Sequence, residues 1–156
     1  MWKKCLIIVI LFYLFAQLQN SFFAHYNFFG AVPNLVFALF FTSVFFEKKY
    51  FCVILLSIIA GLFLDIFSYM QLGPSIVLLT GIGVVLKKVQ QLLQNRQDNY
   101  PFTYFLPLFV LFFAIYLVLL SLSFDLRIIT SIIYSAVFAV LMFYIFKKFR
   151  VYDKQV

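Results

Sequence analysis

Gly61-Leu62-Phe63-Leu64-Asp65-Ile66-Phe67-Ser68-Tyr69-Met70-Gln71-Leu72-Gly73-Pro74 contains the end of an apolar run, 50–70, and sets an acid inside it. A bilayer-spanning helix needs about 20 mostly apolar residues, and the run has that length. Of five acidic residues, Asp65 alone falls within a long hydrophobic segment. A carboxylate at the bilayer centre costs roughly 2.5 to 3.5 kcal/mol on insertion scales and less toward an interface, so an acid at this depth calls for a partner. At about 1.5 Å per residue, Asp65 lies roughly 22 Å along the helix from Tyr50, toward the outer third of a membrane. Ser57, Gly61, Asp65 and Ser68 recur at helical spacing and share one face, flanked by Ile54, Ile58 and Leu62. Helices in lipid meet through small residues that permit close approach and polar residues that bond across, so this face is predicted to meet protein, with Asp65 bonding across a Gly61-lined contact.

The remainder of the chain repeats the apolar pattern. It has 156 residues, of which 66% are hydrophobic, 22% aromatic and 11% charged, more apolar surface than one globular core of this size can hide. The reading is an all-α integral membrane protein, a single transmembrane domain over 1–156, with six transmembrane helices at 5–24, 28–46, 50–70, 72–86, 102–124 and 128–146. Lys and Arg in short loops collect on the cytoplasmic side. With the N-terminus inside, Lys3, Lys4, Lys48, Lys49, Lys87, Lys88, Arg96, Lys147, Lys148, Arg150 and Lys154 all fall on that side and Arg127 stands alone outside. An N-in/C-in topology follows. The net charge of +7 is therefore a topology signal that also suits an anionic lipid bilayer, and it is not the footprint of nucleic-acid binding. The first apolar segment reads as a helix and not as a cleaved signal, because no small-x-small pattern follows it.

Local features set further expectations. Gly73 permits a tight link into the fourth helix, and Pro74 suits that helix's first turn. Thr80, Gly81 and Gly83 make this helix the least regular, and beyond Leu86 an extension is expected to run along the cytoplasmic surface with Lys87 and Lys88 snorkelling. Gln19 and Asn20 mark the outer end of the first helix, Pro33 and Asn34 lie near the start of the second, and Ser131 and Ser135 form a small packing stripe on the sixth. The 24 phenylalanines read as filler for lipid-facing surface.

Several chemistries lack their parts. An intramembrane aspartyl protease needs two facing carboxylates, and the apolar runs hold one. A serine hydrolase would have to use His25, with no nucleophile elbow beside any serine. Glu47, Asp98 and Asp153 lie across the bilayer from Asp65 and cannot join it around a metal. No cofactor or metal site is expected, and the chain reads as non-enzymatic.

Leu18-Gln19, Pro33-Asn34-Leu35 and, above all, Gly61-Leu-Phe-Leu-Asp65-Ile-Phe-Ser68 followed by Leu72-Gly73 resemble the rod shape-determining MreD family. Where that family often carries an acid after the proline, this chain has Asn34. The resemblance implies a membrane scaffold of the bacterial cell-wall elongation machinery in the cytoplasmic membrane. Its partners would be an MreC-type protein, a RodA-type glycosyltransferase, an elongation transpeptidase and MreB filaments. It also implies a fold like that of the substrate-binding subunits of energy-coupling-factor transporters, and a vitamin-type binding subunit is the alternative function. Gly61, Asp65, Ser68, Gly73, Gln19, Pro33 and Asn34 are the candidate partner or helix-interface residues.

Overall fold

A computed structural model describes residues 2–23, 25, 31–67, 72–94, 101–121 and 126–153, and it is all-helical over them apart from short links. The helices are α1 (Trp2–Leu18), continued by a π-helical turn (Gln19–Phe23), α2 (Leu35–Phe46), α3 (Tyr50–Phe67), α4 (Pro74–Gln94), α5 (Pro101–Ser121) and α6 (Leu126–Asp153). Four segments, Tyr50–Phe67, Pro74–Leu92, Phe102–Leu120 and Ile128–Lys148, are long and apolar enough to cross a membrane. Ile7–Phe23 and Leu35–Phe46 are shorter apolar helices.

Two boundaries differ from the sequence reading for identifiable reasons. The second helix begins at Leu35 and not at 28, because Pro33 has no N–H and Asn34 caps the helix by accepting from Phe37 N at 2.9 Å. The fourth does not stop at 86 but continues as one α-helix to Gln94, with the Lys87 and Gln90 side chains turned into the bundle. The surface extension expected there is thus the last part of α4. Residue 68 lies outside the described residues, so Ser68 is not placed.

Successive helices run in opposite directions. Gly61 of α3 meets Ile76 of α4 while Ser57 and Val53 meet Gly83, an antiparallel pairing. Asn34 at the start of α2 meets Ser135 near the start of α6, and Phe46 at the end of α2 stacks on Phe146 at 6.1 Å, a parallel one. One end of the bundle therefore collects Gln19, Asn34, Asp65, Gly73 and Tyr116. The other collects Glu47, Lys48, Lys49, Lys87, Lys88, Lys147 and Lys148.

α2 sits at the centre and packs against every other helix. Each residue from Leu35 to Val44 is buried, the expected state of a helix that is hydrophobic all round. Its Phe37 and Phe41 rings lie against Phe105, Phe109 and Phe113, which recur every fourth residue on α5, at centroid separations of 4.7 to 5.8 Å. The reading of phenylalanine as lipid-facing filler is corrected here. Phe12, Phe37, Phe40, Phe41, Phe105, Phe109, Phe113 and Phe143 are among the largest fully buried side chains. With lipid tails as apolar as the core, ring packing supplies cohesion that hydrophobic burial does not, about 0.5 to 1.5 kcal/mol per aromatic pair beyond area. The bundle's outside is apolar too: Phe51, Ile66, Val77, Leu111, Ile133 and Leu141 all face outward.

Candidate functional site

The Asp65 end carries two groups of polar contacts, each finishing a helix terminus. In a bilayer core no water is present to do so, and an unsatisfied backbone group costs several kcal/mol.

The first group closes the α3–α4 hairpin. Asp65 is 1% exposed, and its Oδ2 accepts from Gly73 N at 2.7 Å while Oδ1 accepts from Ser75 N at 3.1 Å. These are amides of the N-cap and the first turn of α4, since Gly73 O receives Val77 N at 3.1 Å. The carboxylate therefore caps α4 from another helix and lies against the positive end of its dipole. Gly73 has φ 127°, a conformation that suits a residue without Cβ. Pro74 takes the first helical position, where no N–H is wanted. Ser75 Oγ and the Tyr116 hydroxyl share a hydrogen bond of 3.2 Å, which ties the same turn to α5.

Close approach makes the cap possible. A Cβ on Gly61 would stand 2.5 Å from Ile76 Cα, and one on Gly83 would stand 2.7 Å from Ser57 Oγ. The two helices thus touch backbone to backbone at Gly61. Ser57 itself donates to Val53 O at 2.8 Å, so its hydroxyl is satisfied within α3.

The second group surrounds the entry to α2. Residues 31–34 are not helical, yet Ala31 and Pro33 are buried. Non-helical backbone at membrane depth persists only where protein or a water-filled cavity receives its polar groups. Ser135 Oγ accepts from Asn34 N at 2.8 Å, Ser131 Oγ donates to Val32 O at 3.2 Å, and Gln19 Oε1 accepts from Leu35 N at 3.0 Å. Asn20 Nδ2, one residue on, donates to Phe67 O at 3.0 Å and covers the C-terminus of α3. The π-helical turn lets adjacent amides serve two different helices; such turns recur at functional sites. Ser131 and Ser135 read as packing residues in the sequence, and their work as partners of an irregular segment was hidden because only Pro33 and Asn34 mark 31–34 as non-helical and neither points to α6.

Between the two groups lies a half-open cavity of about 250 Å³ lined by residues of α1, the start of α2, and the ends of α3 and α5. Its lining includes the polar residues Gln19, Asn20, Asn34 and Tyr116 and the apolar Phe63, Leu64, Phe67 and Leu120.

At the opposite end α4 finishes α2. Lys87 donates to Glu47 O and, at 2.9 Å, to Gln90 Oε1, while Gln90 Nε2 donates to Phe45 O at 3.1 Å. The snorkelling expected of Lys87 is corrected: its side chain is 7% exposed and places a cation at the C-terminus of α2, where the dipole favours one. Lys88 is exposed.

Among the described residues no three His, Cys, Asp or Glu side chains are grouped to hold a metal ion. Ser43 Oγ on α2 is the one buried side-chain polar atom without a partner among them. Fold and site together define an all-helical, multi-pass membrane protein in which Asp65, Ser135, Lys87 and Gln90, all buried, finish helix ends. No protein-family model, curated protein or solved structure matches the chain.

Proposed function

We propose that this chain is a non-enzymatic scaffold of the MreD kind in the bacterial cytoplasmic membrane. It crosses six times with both termini inside and holds an MreC-type protein and other parts of the elongation machinery together. The observation that carries the reading is the fate of Asp65: both carboxylate oxygens engage backbone amides of α4, the assignment of a structural group and not of a reacting one. The alternating direction of the helices and the gathering of lysines at one end support the six-crossing orientation with that end in the cytoplasm. α2 is short for a span, since its 12 residues cover only about 18 Å. In this reading it crosses within the bundle, and residues 31–34 extend its path by up to roughly 13 Å, which together match a hydrocarbon core of about 30 Å.

Depletion of the protein in a rod-shaped host tests the function. Cells are expected to round while their membrane content of an MreC-type partner in the complex falls. Cells that keep their shape but acquire a growth requirement relieved by one added vitamin would overturn the scaffold reading in favour of a binding subunit.

A further inference from the structure

The cavity at the Asp65 end has a polar wall whose hydrogen-bonding sense is fixed by the bonds already made. Gln19 uses its oxygen on Leu35 N, so it has Nε2 left as a donor. Asn34 uses its oxygen on Phe37 N, so Nδ2 is its remaining donor. Asn20 uses its nitrogen on Phe67 O, and Oδ1 is left as an acceptor. Two N–H donors and one carbonyl acceptor therefore belong to residues lining a space whose other residues are aliphatic or aromatic, among them Tyr116 with its hydroxyl engaged by Ser75, and no charged residue is in the lining. Pockets that take small molecules have this make-up, mostly apolar with a few polar groups that fix orientation.

We propose that this cavity is a binding site for a small uncharged molecule with a carboxamide-like head and an aromatic or aliphatic body. A carboxamide oxygen has two lone pairs, which match the amides of Gln19 and Asn34, and its NH₂ matches the carbonyl of Asn20. The ring would lie against Phe63 and Phe67. A carboxylate in the same place would lose its water for neutral donors only and meet the Asn20 oxygen, so charge is selected against. A hydrocarbon of equal size would leave the amides of the wall unpaired. The site goes beyond the scaffold reading and stands without it, because it rests only on the cavity and its three amides.

The full chain, purified in detergent micelles, is titrated with para-fluorobenzamide and followed by fluorine NMR. Saturable binding is expected, displaced by unlabelled benzamide and at least roughly tenfold less well by ethylbenzene or benzoate, a difference of about 1.4 kcal/mol. Ala16→Phe drives a ring into the cavity from α1, and Leu120→Trp does so from α5; each is expected to abolish binding while the protein still elutes as a single gel-filtration peak. The second variant decides the matter if the first does not fold. A signal that fails to saturate, or that survives cavity filling, would show partition into the micelle and overturn the site. Equal displacement by ethylbenzene would overturn the role given to the amides.

Discussion

Asp65 shows how one side chain can be half legible. Its spacing from Ser57 and Gly61 reveals that it faces inward, and it is buried accordingly. Its bonds to Gly73 N and Ser75 N could not be read, because they depend on how the chain between α3 and α4 closes. The geometry also separates two substitutions. Asp65→Leu leaves the buried Ser75 amide and the part-buried Gly73 amide without an acceptor, and at about 1 to 3 kcal/mol for a fully buried group the loss is up to roughly 6 kcal/mol. Asp65→Asn keeps one acceptor and turns an NH₂ toward the second amide, so about half of that loss is expected. Thermal unfolding in detergent, followed by circular dichroism, should rank wild type above Asn and Asn above Leu. An unchanged midpoint for the Leu variant would remove Asp65 from the capping role.

At the scale of helices, the α3–α4 contact depends on which glycine faces it. Gly61→Ala brings a methyl group against the Ile76 backbone, which cannot swing aside as a side chain would, so the helices must separate and the cost is at least the 1 to 3 kcal/mol typical of overpacking, roughly. Gly81→Ala meets nothing within 4 Å and is expected to stabilise by up to about 1 kcal/mol through helix propensity. Melting midpoints that move in opposite directions are the check; an unchanged or higher midpoint for Gly61→Ala would mean that Gly61 is not held at a backbone contact. Gly61 shares a face with Ser57 and Asp65 and reads as an interface residue, whereas Gly81 and Gly83 read alike in the sequence, although only Gly83 meets α3. What distinguishes them is the rotation of the helix about its axis, which the weak amphipathicity of lipid-embedded segments does not encode. The start of α2 was misread for a related reason. Apolar residues continue through 28–36, and hydropathy cannot separate helix from buried link, whereas Pro33 and Asn34 carry the boundary signal.

For the molecule as a whole, composition and charge were the readable part. The apolar content predicted membrane helices, and the basic pairs predicted that the ends of the second, fourth and sixth helices share a side. Lys48, Lys88 and Lys147 do lie at one end of the bundle and are exposed. Cysteines placed at these three positions, in a chain whose Cys5 and Cys52 are replaced by serine, are expected to react with a membrane-impermeant maleimide in inverted vesicles and to stay unlabelled in intact cells. Labelling of any one from the cell exterior would break the six-crossing orientation. The distribution of phenylalanine was not readable, since a buried ring and a lipid-facing ring have the same neighbours in sequence and differ only in which helix stands opposite.

The caps also imply an order of assembly during synthesis. Asp65 finds its two donors eight and ten residues further along the chain, so the carboxyl oxygens are bonded within their own hairpin as soon as α4 follows α3 out of the ribosome. α2 emerges earlier yet finishes later: the side chains that close its far end, Lys87 and Gln90, arrive with α4, and Ser135 arrives only with α6. A nascent chain halted after α3 would therefore hold its central helix with the far end open and the near end lacking Ser135; α4 closes the first and α6 completes the second.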